Sequence, residues 1–438
     1  MNELLLGVAR KVITPEVGCA LMGYRPDIFS ESVNDDLTAT AFVFKQGDTS
    51  ALMISLTLCS LRTDIAERIL ANVEKEYGIP RANSIIHTIH THSGPRVNGP
   101  DPKPGSNGTG GGWGELNVEY VENILIPSVM EVVKEAAANP VSVQMKVSVG
   151  ESYVAINRRE LNIENKIVLG QNPWGPIDPK MTVISFINEE KKNVANIIHY
   201  AAHGTGSGPN HEITRDWAGV MIDVLERASG GITAFFNGPE GDVGPRLSNG
   251  KTTGDLRYAL ELGGKAAQDA VRIYKQHSIC TTPTLSASTE TIDVPLAHRI
   301  PKEEAEAGCE LYKGKTINIA GRKASYFNRV LKSYEDGYTE IDSVSFEQTI
   351  IRLGDVAFIS FPYELFSEVG MRIAQASDIP YTLSLSISNG AKGYFVTEDA
   401  VPRGGYEVEM FQTTNLQPYV HDADFRLMKS TLEHLKKV

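Results

Sequence analysis

The stretch Ser84-Ile85-Ile86-His87-Thr88-Ile89-His90-Thr91-His92-Ser93-Gly94-Pro95 decides how the chain is read. Its apolar first half reads as a buried strand, and Gly94-Pro95 turns the chain. In extended backbone, side chains two apart point the same way, so His90 and His92 are expected to leave one strand end together. Neutral imidazoles are common ligands for zinc and similar metals. Upstream, Ala39–Phe44 and Ser50–Leu56 read as strands, and Asp64–Tyr77 has helical spacing through Ile65, Ile69, Leu70 and Val73. This strand–helix–strand order predicts an α/β fold of mixed β-sheets flanked by helices.

Downstream, Val118–Ala137 reads as a helix, and Val141–Val149 and Val183–Ile187 as strands. Asp255–Gln276 has the longest helical pattern, through Leu256, Leu260, Leu262, Ala266, Ala270 and Ile273. A turn-rich segment, Ser278–Pro283, places a soft subdomain boundary near residue 280, after which Leu285–Val294, Phe346–Leu353 and Val356–Phe361 read as strands. Asp101–Gly114 is rich in glycine and follows the histidines directly, which makes it a candidate active-site lid or a plain surface loop. No Gly-Lys-Ser/Thr closes it, so it is not a phosphate loop.

The 438 residues carry a net charge of −12 with no basic run, which argues against nucleic acid or an anionic membrane surface as the main partner. The N-terminus lacks a basic region followed by a long apolar run, and no segment approaches the ~20 apolar residues needed to span a bilayer. Cys19, Cys59, Cys280 and Cys309 are scattered without CxxC spacing, so reduced thiols in a cytoplasmic protein are the expectation.

A second strand, Val194–Ala202, runs into His203-Gly204-Thr205-Gly206, again a histidine where an apolar run meets glycine. Such strand ends are where open α/β sheets place their sites. His199 and His87 read as packed core residues, and His211, His277, His298, His421 and His434 as solvent-facing. Glu364 follows the strand Val356–Ser360 and precedes a helix over Phe366–Ala376. Taken alone it reads as a helix N-terminal carboxylate favoured by the dipole.

With these pieces in order, the chain resembles the neutral (alkaline, non-lysosomal) ceramidases, which are zinc amidases. The resemblance is carried by Gly7-Val8-Ala9-Arg10-Lys11-Val12-Ile13-Thr14-Pro15 with Met22-Gly23-Tyr24, by the His-Thr-His-Ser-Gly-Pro motif, and by Ile156-Asn157-Arg158. It continues through Asp178-Pro179-Lys180-Met181-Thr182, His203 with Asn210, Ile213, Thr214, Asp216 and Gly219, and Gly241-Asp242-Val243 with Pro245. Pro362-Tyr363-Glu364 and Gly393-Tyr394 with Tyr406 complete it, all in the family's order. The resemblance implies one catalytic domain over 1–438 that binds one zinc ion per chain through His90, His203, Glu364 and Tyr394. His92, Arg158 and Tyr406 would line the reaction centre. Two imidazoles, a carboxylate and a phenol oxygen are chemically compatible with zinc.

The chain departs from the family pattern on what would be the substrate side. Gly244 stands where the family has serine, Tyr363 where it has glycine, and Glu407-Val408-Glu409-Met410-Phe411 keeps only its first residue. The family's C-terminal immunoglobulin-like domain and export signal are expected to be absent. The resulting expectation is a zinc-dependent amide hydrolase acting on an N-acyl lipid or a smaller soluble amide. Alternatives are a catalytically silent zinc- or ligand-binding protein on the same scaffold, and an ester hydrolase.

Overall fold

A computed structural model describes residues 3–98, 115–276, 278–316 and 318–438. The candidate lid over 101–114 and His277 lie outside the described residues. In chain order the first half contains β1 (Leu5–Val12), β2 (Thr38–Gln46), β3 (Thr49–Leu56), α1 (Thr63–Tyr77), β4 (Ser84–Thr88), α2 (Ile126–Ala138) and β5 (Val141–Glu151). A hairpin follows, β6 (Ala155–Leu161) and β7 (Ile167–Asn172), then β8 (Lys180–Asn188), β9 (Asn193–Tyr200), α3 (Asp216–Ser229), β10 (Ile232–Asn237), β11 (Val243–Pro245) and α4 (Leu256–Tyr274).

The first sheet runs β10-β9-β8-β5-β1-β2-β3-β4. Its inner pairs are antiparallel, but β3/β4 and β9/β10 at its two ends are parallel. Parallel strands need a crossover, and α1 and α3 supply them. Each helix buries one stripe: Ile65, Ile69, Leu70 and Val73 of α1 meet the β1–β4 end, while Trp217, Met221, Ile222 and Leu225 of α3 meet β8–β10. Every residue of β4 is buried, as a strand covered on both faces requires.

Beyond residue 280 the chain builds β12 (Leu285–Pro295), α5 (Lys302–Leu311), α6 (Asn318–Glu335), β13 (Ser343–Leu353) and β14 (Val356–Ser360). The rest is β15 (Glu364–Leu365), α7 (Ser367–Ala376), β16 (Tyr381–Leu385), β17 (Tyr394–Phe395), α8 (Tyr406–Gln412) and α9 (Ala423–Leu435). The second sheet runs β12-β13-β14-β16. One of its faces packs on the back of the first sheet, where Ile351, Phe358 and Leu385 share a core with Phe42, Phe44, Ile85 and Phe236. The other face is covered by α7 and α9 through Val369, Ile373 and Leu427. Helices, sheet, sheet and helices thus stack in four layers.

The helices read from periodicity are present with small boundary shifts; the one over 118–137 contains a wide π turn at Val121–Leu125. His434 differs from expectation: it is fully buried, with Nδ1 3.1 Å from Gln348 Oε1 and Nε2 3.2 Å from Ser288 Oγ. It lies on the inward stripe of α9, whose packing side is set by tertiary contacts. Among the described residues, no helix is long and apolar enough to cross a membrane.

Candidate metal centre

The histidine motif reaches the site by a different backbone route from the one its spacing predicts. β4 ends at Thr88, and His90 adopts φ 68°, the left-handed region that costs a non-glycine residue about 1–3 kcal/mol. Neighbouring backbone holds it there. His90 N–H donates to the Leu58 carbonyl at 2.9 Å, and His92 N–H to the Gly204 carbonyl at 3.0 Å. Thr91 and Gly204 form a parallel bridge so close that a Cβ on Gly204 would lie 2.6 Å from the His90 oxygen. Glycine after His203 is therefore what lets the two histidine segments clasp. The rings of His90 and His92 still converge, with their Nε2 atoms 3.1 Å apart.

Glu364 and Tyr394 arrive together because β15 and β17 pair in parallel with Glu364 opposite Tyr394. Glu364 thus belongs to a short strand; the acidic residue in the first turn of α7 is Glu368. Its Oε2 lies 3.2 Å from His203 Nε2 and 3.5 Å from His90 Nε2. One ligand atom from each of His90, His203 and Glu364 falls within 4.8 Å of the others.

The proton inventory explains why a cation suits this cluster. His90 Nδ1 lies 2.8 Å from the Cys59 carbonyl oxygen. His203 Nδ1 lies 2.8 Å from the Glu240 carbonyl and 3.1 Å from that of Val243. Carbonyls only accept, so both Nδ1 atoms carry hydrogens and both Nε2 atoms turn lone pairs toward a carboxylate oxygen. Three acceptors facing one another in a buried space need a positive charge between them. Burial opposes a positive charge on His90, but Cys59 and the Glu364 carboxylate hold its pKa well above the ordinary value. Burial likewise opposes ionisation of Glu364, yet His90 and His203 hold it well below the carboxylate range. His203 is lowered to about 3 by burial and by Arg158. A second group, Cys59 with His90 and His92, also brings ligand atoms within 4.8 Å; Cys59 Sγ lies 3.7 Å from His90 Nδ1, the nitrogen that faces the Cys59 carbonyl.

Arg158 enters from β6. The motif around it meets Gly241-Asp242-Val243: Arg158 N–H donates to the Asp242 carbonyl at 2.8 Å, and the Asp242 carboxylate accepts from Asn157 Nδ2 at 3.0 Å. Arg158 Nη2 donates to the Tyr394 hydroxyl at 3.0 Å, and its Nε donates to Glu407 at 2.8 Å. Arg159 donates to the other Glu407 oxygen at 2.8 Å, so one buried carboxylate fixes two guanidiniums. Tyr406, the first residue of α8, sets its ring edge on Tyr394 with centroids 5.8 Å apart. Burial and the Glu364 charge push its pKa up to about 12, and burial takes His92 well below 6.5. The structure thus gathers His90, His92, His203, Glu364, Tyr394, Arg158 and Tyr406 at one place.

Two departures from the family pattern have structural reasons. A Cβ on Gly244 would lie 2.7 Å from Thr252 Cγ2, so Thr252 occupies the volume a serine side chain would need. Tyr363 turns away from the site and packs among Phe346 and Phe395 in the core.

Two further residues stand near the centre, and the sequence assigned neither of them a role. The Tyr24 ring stands edge-on to His92, centroids 5.0 Å apart, with its buried hydroxyl unpartnered among the described residues. Glu240 is fully buried, and among the described residues neither of its carboxylate oxygens has a hydrogen-bond partner. Burial raises its pKa to about 8 from 4.5. The folded chain therefore keeps a proton that the unfolded chain releases, a stabilisation present in full below pH 4.5 and lost as pH rises through about 8. Glu240→Gln, which stays neutral, is expected to gain on the wild type between pH 5 and pH 9 by on the order of 3 kcal/mol. Urea midpoints that differ equally at the two pH values would contradict this.

The sequence profile of the family described as "Neutral/alkaline non-lysosomal ceramidase, N-terminal" matches residues 4–261. Among solved structures, a neutral ceramidase from Pseudomonas aeruginosa superposes with a TM-score of 0.73 at 17% identity, covering 99% of this chain and 74% of that one. A structure titled as ceramidase complexed with C2 gives 0.72 at 17%, covering 99% and 76%. At that identity the likeness establishes the fold. No curated protein sequence gives a significant match.

Proposed function

Because this chain belongs to the neutral/alkaline non-lysosomal ceramidase family, a membership that supports hydrolysis of amide bonds, we propose that it is a zinc-dependent hydrolase whose ion is held by His90, His203, Glu364 and Tyr394. The observation that carries the reading is the set of lone pairs from His90 Nε2, His203 Nε2 and Glu364 Oε2 aimed at one point, with both Nδ1 hydrogens directed away. The bound metal would supply Lewis acidity toward the carbonyl and a water whose pKa falls toward ~7.

The remaining chemistry falls to the protein. His92 is neutral near pH 7, because burial lowers its pKa, so it accepts the proton released as water oxygen bonds to the carbonyl carbon. As the C–N bond breaks, that proton passes to the leaving nitrogen. Tyr406, protonated at neutral pH, and Arg158, held by Glu407, donate to the oxygen that gains charge. Burial raises the Tyr394 pKa well above 10, so as a ligand its phenol would have to lose or share its proton, which a neighbouring dication would favour.

Tyr406→Phe is expected to retain zinc and lose about 10²–10³ in kcat, the usual cost of one such donor. Unchanged turnover would remove Tyr406 from the reaction centre. The substrate is an N-acyl lipid or a smaller soluble amide, and the protein works in the cytoplasm. Fatty-acid release from short- and long-chain ceramides, measured beside a panel of soluble N-acyl amines, separates the two substrate classes. Bound zinc without turnover of any amide or ester would contradict the hydrolase reading.

A further inference from the structure

The hairpin that delivers Arg158 to the site carries on its outside a concentration of apolar surface that packing does not explain. Leu161 is 61% exposed, Ile163 103%, Val168 39%, Leu169 51% and Trp174 93%. Ile163 and Trp174 are the two most exposed large apolar side chains among the described residues. Single exposed apolar residues are ordinary; five within fourteen residues mark an interaction surface.

Neither Ile163 nor Trp174 is exposed by looseness. Ile163 rides on a turn in which Asn162 N–H donates to the Lys166 carbonyl at 2.9 Å, while Asn162 Oδ1 accepts from the backbone N–H groups of Glu164 at 3.0 Å and Lys166 at 2.9 Å. Trp174 N–H donates to Asn172 Oδ1 at 3.1 Å, and Asn172 Nδ2 to the Arg159 carbonyl at 3.0 Å. Both side chains are held out on fixed backbone, so burying them against a partner costs little ordering of the chain.

The hairpin also forms a wall of the reaction centre. Arg158 lies on β6, and Ile167 of β7 packs so closely on Gly405, just before Tyr406, that a Cβ there would lie 2.7 Å from Ile167 Cγ2. Between 161 and 174 the only charged residues are Glu164 and Lys166, paired at 2.9 Å, so the segment is neutral on a chain of net charge −12. Val168 and Leu169, adjacent and both exposed, point to opposite faces, so apolar groups surround the hairpin and form no single flat face for a second copy.

We propose that this β6–β7 hairpin docks the protein onto a zwitterionic lipid surface, bringing the adjoining site to lipid-borne amides; it rests on the hydrolase reading above only for that last clause. Trp and branched aliphatic side chains without net charge suit the boundary between headgroups and acyl chains, and the chain's acidity disfavours anionic lipid.

The test is co-sedimentation of the full chain with phosphatidylcholine vesicles. Leu161→Ser/Ile163→Ser and Trp174→Ser are each expected to weaken partitioning about tenfold with unchanged melting temperature. Leu311→Ser, at a 72% exposed position on α5, is expected to change nothing. Absent vesicle binding by the wild type, or equal loss in Leu311→Ser, overturns the proposal. So does a concentration-dependent dimer, seen by sedimentation, that Leu161→Ser/Ile163→Ser abolishes, since the occupant would then be a second copy. Turnover of a soluble short-chain amide, expected to be equal in all these variants, keeps the two readings separate. Vesicle binding without any turnover removes the hydrolase reading alone; turnover without vesicle binding removes the docking alone.

Discussion

Replacing His90 by alanine is expected to empty the metal centre and bring amide hydrolysis to background. His90 supplies one of the three converging ligand atoms, and its Nδ1, 2.8 Å from the Cys59 carbonyl, holds the ring with Nε2 toward Glu364. With it gone, one imidazole, the Glu364 carboxylate and the Tyr394 phenol remain, and that phenol, its pKa raised well above 10 by burial, is the weakest donor of the four, so the set falls short of what zinc typically needs at a catalytic site. Loss of the ion removes both carbonyl polarisation and activation of water, so the fall in kcat/KM should exceed about 10³-fold. Glu364→Ala is expected to behave alike. Zinc per chain, measured after dialysis, and turnover of the best amide found are the checks. Equal zinc content in wild type and both variants would refute the ligand assignment.

The second large effect concerns stability. Glu407 is fully buried and accepts from Arg158 and Arg159 at 2.8 Å each. Its removal would leave two buried guanidiniums with less compensation: Arg158 would keep the Tyr394 hydroxyl, and Arg159 the Gly404 carbonyl at 2.7 Å. Breaking a buried pair by deleting one partner costs about 3–5 kcal/mol, because the surviving charge has no solvent to return to. Glu407→Ala is therefore expected to lower the urea midpoint by that equivalent, with Glu407→Gln losing less because an amide still accepts one hydrogen bond. A loss below about 1 kcal/mol would mean that the two arginines find other partners or water.

Much of the site was legible because its chemistry is written at strand ends. His90 and His203 each close an apolar run at a glycine, and that grammar marked both. What it could not mark was the reason for the glycine, a backbone clasp between residues more than a hundred positions apart. Glu364 was ambiguous for the same reason: whether it caps a helix or faces an imidazole depends on the two-residue pairing of β15 with β17, too short to leave a periodic signal. The resemblance named Tyr394, Arg158 and Tyr406, which composition could not. Glu240 went unmarked, and Tyr24 entered only as part of the resemblance with no role attached, because an unpartnered buried atom is a property of the packed molecule. The α/β class and the main helices followed from periodicity, whereas the β6–β7 hairpin did not. Its apolar residues face both ways, with Val168 and Leu169 adjacent and both exposed, so neither the strand nor the helix pattern picks it out. His434 was misjudged because its burial is decided by the sheet that α9 covers.

X-ray absorption at the zinc edge of the metal-loaded chain tests the centre most directly. Scattering from nitrogen and oxygen alone at about 2.0–2.1 Å, with two imidazoles resolved in the outer shell, is the expected result for His90, His203, Glu364 and Tyr394. A sulfur scatterer at about 2.3 Å would instead place the ion with Cys59, His90 and His92, and would contradict the assignment on which the hydrolytic chemistry depends.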